Sequence, residues 1–125
     1  MTSEANAAAK WENLVFGIVD DDEAYAMLLA GMLRWIFPKC DCATARNIEE
    51  VTALMRAKKI DVLLLDYHLG EMDSGPILRT LTRELRKFPI IVVSGDTSEI
   101  VLTKVLELGA DDFVTKPVDK HVLES

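Results

Sequence analysis

Leu14-Val15-Phe16-Gly17-Ile18-Val19 runs directly into Asp20-Asp21-Asp22, and a second apolar run, Val62-Leu63-Leu64-Leu65, also ends on an aspartate, Asp66. Short apolar runs without polar alternation read as strands buried on both faces, which is how a parallel sheet is built. Two such strands deliver carboxylates to one edge. Unit charges about 4 Å apart interact at roughly 4 kcal/mol at an effective dielectric of 20, so carboxylates converging there repel strongly unless they share a cation. The pattern points to a divalent-metal site. Open α/β sheets bind their ligands at such a place, beyond the carboxyl ends of the strands where the strand order reverses.

Working outward, apolar runs of strand length at 14–19, 40–44, 60–66, 89–94 and 112–115 alternate with helical patterns at 23–36, 48–58, 76–86 and 97–108. That alternation predicts a parallel sheet with helices on both faces. Asn47 followed by Glu50, and Asp96 followed by Glu99, have capping-box spacing and mark helix starts. Asp22, third in its run, reads as the N-cap of the first helix rather than a ligand. Gly75-Pro76 places proline at a first helical position, Gly109 stops a helix, and Pro38 lies just past the first one. Residues 1–12 read as a flexible lead-in in which only Trp11 hints at packing, and 13–125 as one domain. The lead-in suits a domain at the front of a longer chain. After Lys116-Pro117 only Val118 to Ser125 remain, so the last helix is expected to be short or truncated.

Composition narrows the function classes. With 125 residues, half of them apolar, the chain has material for one real core. A formal net charge of −7 argues against direct nucleic-acid binding, and favours a basic protein partner. No apolar stretch approaches the ~20 residues of a membrane span, and the first residues lack a secretory layout, so no membrane contact and a cytoplasmic location are expected. Cys40 and Cys42 read as packing thiols in a reducing compartment.

Four features now close successive strands: Asp20/Asp21, Asp66, Ser94 after Ile90-Ile91-Val92-Val93, and Lys116 after Phe113-Val114-Thr115. In this order, over about residues 14 to 118, the chain resembles the receiver domain of two-component response regulators, the CheY-like family. The resemblance implies a flavodoxin-like (βα)5 doubly wound sheet of order 2-1-3-4-5. It implies that Asp66 is the phosphoacceptor, taking a phosphoryl group from a sensor histidine kinase or histidine phosphotransfer protein. Mg²⁺, or Mn²⁺ in its place, would be held by Asp21, Asp66 and the backbone carbonyl of His68, with Asp20 acting through a water. Lys116 and Ser94 would contact the phosphoryl oxygens. Hard cations prefer oxygen ligands, and phosphoryl transfer is mostly positioning and charge neutralisation, so these residue types suit the task. Asp66 is expected to be ionised, because the cation and Lys116 both favour its charged form. Further implied are a downstream effector domain or protein and a signalling domain that supports its own phosphoryl transfer and dephosphorylation rather than an enzyme in the usual sense. The short tail, by contrast, is itself expected to leave apolar surface uncovered, and with it a homodimer through the flank formed by the fourth helix, the fifth strand and the tail, or a downstream segment that packs there.

Some positions depart from the family pattern. Gly70 stands where proline is common, and Ser74, followed by Gly75, stands where glycine is expected, so the loop from Asp66 to Gly75 is expected to be looser or differently turned. Ser94 replaces the more usual threonine and could also be a plain turn residue. Phe113 either rotates on activation or packs as a core residue. His68 and Asp96 stand where relatives carry side chains that tune the lifetime of the phosphorylated state, while Asp96 also has the capping role. Two other functions stay in view: a receiver-like interaction domain that is never phosphorylated, and a Mg²⁺-dependent phosphohydrolase of the haloacid dehalogenase type. The second is weakened because its nucleophile follows the first strand in a D-x-D pattern, whereas Asp66 follows the third.

Overall fold

The apolar runs become strands and the periodic segments become helices, with modest shifts at their ends. The computed structural model describes residues 13–57, 59–69, 72–84, 88–95 and 98–116. The lead-in with Trp11, Gly70, Asp96, and the tail from Pro117 lie outside the described residues, with the expectations placed on them. In chain order the elements are β1 (Val15–Val19), α1 (Glu23–Ile36), β2 (Asp41–Ala45), α2 (Ile48–Ala57), β3 (Val62–Asp66), β4 (His68–Leu69), β5 (Met72–Asp73), α3 (Gly75–Glu84), β6 (Ile90–Ser94), α4 (Glu99–Glu107) and β7 (Asp112–Thr115). The main sheet runs β2-β1-β3-β6-β7 with every pair parallel. With the two-residue ribbon β4–β5 set aside, this is the expected 2-1-3-4-5 order. It reverses between β1 and β3.

Alternation along the strands sorts the core into two layers. Phe16, Ile18, Leu64 and Val93 face Ala26, Leu29, Ala30 and Leu33, which recur at helical spacing along α1. Val19, Leu63, Leu65, Ile90 and Val92 face the other way, against Val51 of α2, Ile77, Leu78 and Leu81 of α3, and Val101 and Val105 of α4. Each fully buried aliphatic side chain, such as Ile18 or Leu63, contributes roughly 1.5–3 kcal/mol relative to exposure. Phe113 is half-buried against the second layer, so it packs in this structure. Gly17 is where β1 comes too close for a side chain: a Cβ there would stand 2.9 Å from the Leu63 Cδ1.

Local hydrogen bonds set the element ends. The Asp61 and Asp111 carboxylates, each one residue ahead of its own strand, accept the first N–H of the neighbouring strand, from Val15 and Ile90, both at 2.8 Å. Asp22 caps α1 as expected, accepting from the Tyr25 N–H at 3.2 Å. Asn47 accepts from the Glu50 N–H at 2.9 Å, but the Glu50 carboxylate reaches the Arg46 N–H (3.2 Å) rather than closing the box on Asn47. The expected α4 start needs correction: its N-cap is Ser98, whose side chain accepts from Val101 N–H at 3.3 Å, so the cap falls two residues beyond Asp96. Serine caps as well as aspartate, and spacing alone ranks neither first. Gly109 ends α4 at φ 111°, a conformation that disfavours any side chain. Pro76 is second in α3, one position later than expected.

Cys40 and Cys42 are free, with Sγ atoms 3.9 Å apart. Burial first, then the adjacent Cys40, pushes the Cys42 thiol up to about 12, so it is protonated and unreactive.

Candidate functional site

Val19 pairs with Leu65 at the point where the strand order reverses, and one residue later each strand ends in a carboxylate. Both are withdrawn from water: Asp20 is 2% exposed and Asp66 6%. Asp20 is fixed from two sides. Its N–H donates to the Ala45 carbonyl (2.9 Å), and the Asp22 N–H donates to its Oδ1 (2.9 Å). The three consecutive aspartates therefore divide their tasks: Asp20 turns inward, Asp22 caps α1, and Asp21 stays exposed between them. Carboxylate oxygens of Asp20, Asp21 and Asp66 lie within 4.8 Å of one another. An all-oxygen, anionic donor set at this spacing fits a hard divalent cation.

Lys116 reaches the same point from the end of β7. Its N–H donates to the Ser94 carbonyl at 2.9 Å. Its Nζ lies 3.2 Å from Asp20 Oδ2, 3.4 Å from Asp66 Oδ2, and 4.3 Å from the centre of the Tyr25 ring. Ser94 is the last residue of β6 and has no exposed surface. It stands one residue beyond Val93, which is the partner of Asp66 in the sheet. His68 opens the ribbon two residues after Asp66, its ring edge-on to that of Tyr67 at 4.9 Å.

The electrostatics follow from this crowding. Burial first, then the charge of Asp20, raises Asp66 from 3.8 to about 6, with Lys116 pulling the other way. Asp66 is still mostly ionised at pH 7, as expected, but the net direction is upward because desolvation and its like-charged neighbour outweigh the lysine. Burial lowers the Lys116 ammonium, yet Asp66 and Asp20 together outweigh that and leave it above its usual range. The site is short of positive charge.

Two residues were not anticipated from sequence. Tyr25 lies under the lysine because Asp22 starts α1 where its first turn faces the end of β7. Ser74, noted only as a departure from glycine, has no exposed surface and donates its Oγ hydrogen to the backbone carbonyl of Asp66. The loop from Asp66 to Gly75, expected to be looser or differently turned, carries paired backbone among its described residues. His68 pairs with Asp73 and Leu69 with Met72 in an antiparallel ribbon. The Ser74 N–H closes it onto the Tyr67 carbonyl at 2.7 Å.

This architecture and this cluster have clear counterparts. The family model of the response regulator receiver domain matches residues 16–125, and the chain belongs to that family. It is 33% identical over 100 residues to the alkaline phosphatase synthesis transcriptional regulatory protein PhoP of Bacillus subtilis (strain 168), covering 80% of this chain and 41% of that protein. It is 33% identical over 106 residues to the cell cycle response regulator CtrA of Brucella ovis, covering 85% and 45%. The chain thus spans less than half the length of these relatives. Among solved structures it is similar to a response regulator from Burkholderia pseudomallei with a phosphorylated aspartic acid, calcium ion and citrate. That likeness has a TM-score of 0.80 at 25% identity, and covers 90% of this chain and 65% of the other. The chain is a receiver domain of the two-component response regulator kind, a signalling module. Among the described residues no helix is long and apolar enough to cross a membrane.

Proposed function

We propose that this domain accepts a phosphoryl group on Asp66 from a histidine kinase or histidine phosphotransfer protein. The observation that carries the reading is the buried Asp66 carboxylate, held 3.4 Å from Lys116 Nζ and grouped with Asp20 and Asp21. Asp21, Asp66 and the His68 carbonyl would hold Mg²⁺, with Asp20 acting through a water, and Mn²⁺ serves equally as a hard cation. Bound there, the cation supplies neutralising charge to the transferring group.

The chain's own residues do the rest. One oxygen of ionised Asp66 bonds to phosphorus as the P–N bond to the donor histidine breaks, and the electron pair leaves with the imidazole. Lys116 moves from the carboxylates to the new phosphoryl oxygens, and Ser94 donates its hydroxyl to one of them. Asp66 needs no general base, since it is already ionised at neutral pH. Hydrolysis gives the domain its own dephosphorylation: a water oxygen bonds to phosphorus as the P–O bond to Asp66 breaks, releasing inorganic phosphate and the Asp66 carboxylate, at a rate tuned by His68 and Asp96. The change in charge at the ends of β6 and β7 biases a two-state surface read by an effector.

Intact-mass spectrometry with acetyl phosphate and Mg²⁺ tests this. One phosphoryl group is expected on wild type and none on Asp66→Asn. Phosphate that still adds to the Asn variant would sink the site assignment, and none on wild type with any donor would favour the never-phosphorylated interaction domain.

A further inference from the structure

The peptide joining Asp66 to Tyr67 uses only half of its hydrogen-bonding capacity within the sheet. The Tyr67 N–H donates to the Val93 carbonyl of β6 at 3.2 Å. In a planar trans peptide the Asp66 carbonyl then points the opposite way, toward β1. The β1–β3 ladder has already ended, its last pair being Val19 with Leu65, and the Asp20 N–H that follows lies on the β2 side, where it donates to the Ala45 carbonyl. The carbonyl of the phosphoacceptor thus lies beyond the last described β1–β3 pair at a buried position, where an unpaired backbone group is costly. Ser74 Oγ supplies that partner.

Ser74 does more than fill a gap. Its N–H donates to the Tyr67 carbonyl at 2.7 Å, so one residue holds two consecutive carbonyls immediately after Asp66. Its own carbonyl accepts from the Leu78 N–H at 2.9 Å, which seats it at the first turn of α3. Asp73 beside it accepts from the Gly75 N–H at 2.8 Å and pairs with Lys104 of α4 at 3.6 Å. The segment that follows the phosphoacceptor is thus tied to two helices through a serine at a position where the family pattern has glycine, a residue unable to make the hydroxyl bond.

We propose that Ser74 is a positioning residue for phosphoryl transfer: its hydroxyl, through the Asp66 carbonyl, holds the backbone that aims the Asp66 carboxylate at the incoming phosphorus. The inference rests on the phosphoacceptor reading of Asp66. Ser74 does not touch the reacting atoms. It acts by keeping Asp66 in an in-line geometry, where a displacement of about 1 Å can cost on the order of 10²-fold in rate.

The experiment follows the phosphorylation time course by intact mass for wild type, Ser74→Ala and Ser74→Gly, at saturating acetyl phosphate and over a Mg²⁺ series, with thermal unfolding of each protein alongside. In each reaction acetate leaves as its P–O bond breaks and the acyl phosphate forms on Asp66. Both variants lose the hydroxyl bond but keep the Ser74-position N–H bond to Tyr67. The expected result is a rate constant at saturation roughly tenfold below wild type in both, with the half-saturating Mg²⁺ concentration within about twofold of wild type. Glycine fits the space, so a folding failure of the alanine variant leaves the glycine variant to decide. Variants that melt earlier yet phosphorylate at the wild-type rate would assign Ser74 a purely structural role and overturn the proposal alone. A wild type that never takes up phosphate would overturn the reading of Asp66 itself, and this inference with it.

Discussion

At the scale of single residues, the proposed function puts Asp66 under opposing demands: a nucleophile has to be charged, and a buried position beside Asp20 disfavours charge. Its folded-state value near 6 lies above the 3.8 of a free carboxyl, so between those values the folded protein binds more protons than the unfolded chain. Stability from this group is therefore full below about pH 4 and is lost as pH rises through about 6. In metal-free buffer, Asp66→Asn is expected to be more stable than wild type at pH 7.5, by at most about 3 kcal/mol, because Lys116 loses a partner in the exchange. The difference should close by pH 4. Urea unfolding at the two pH values measures it, and an Asn variant no more stable than wild type at pH 7.5 would mean that burial does not set the charge cost. The places of Asp66 and Lys116 at one edge of the sheet were legible because both residues follow strand-length runs. The bond made by Ser74 was not, since its partner is a backbone carbonyl that belongs to no motif.

Among the elements, the ends rather than the existence of helices were hard to read. Asn47 and Asp22 cap as expected, because each stands immediately before a clear helical period. Ahead of α4 two residues able to cap stand two positions apart in the sequence, and the helix starts from Ser98. Ser98→Ala should cost about 0.5–2 kcal/mol by denaturant unfolding while leaving the phosphorylation rate of the folded domain unchanged. A loss below a few tenths of a kcal/mol would place the start of α4 elsewhere. The ribbon β4–β5 was similarly hidden: strands of two residues carry no period, and the bond from Ser74 to Tyr67 that ties its open end is not visible in a sequence.

For the whole molecule, the acidic surface is interrupted by exposed apolar side chains among the described residues: Met27 and Trp35 on α1, Ile100, 80% exposed, on α4, and Leu102 with Leu106, one turn apart, on another side of that helix. Exposed apolar area of this kind usually marks an interface. Self-association is expected through the face formed by α4 and β7. Sedimentation over a concentration series should show a dimer for wild type and a shift to monomer for Ile100→Lys with Leu106→Lys. A dimer untouched by both changes would move the interface to α1, and a monomer at all concentrations would remove the expectation.

Taken by itself, the sequence determined the parallel sheet, its strand count and the identity of the residues at its carboxyl edge, because period, run length and strand-end chemistry are all local properties of a chain. The division of three adjacent aspartates into an inward carboxylate, an exposed one and a cap was only half visible there, through Asp22. Tertiary structure alone brought Tyr25 under Lys116, raised Asp66 by burial beside Asp20, and gave the carbonyl of Asp66 to Ser74. Each of these depends on where a second segment stops: α1 starting at Glu23, β1 turning away after Val19, and α3 beginning at Gly75. Distances between groups far apart in the chain, and the water excluded from between them, exist only once the sheet has closed.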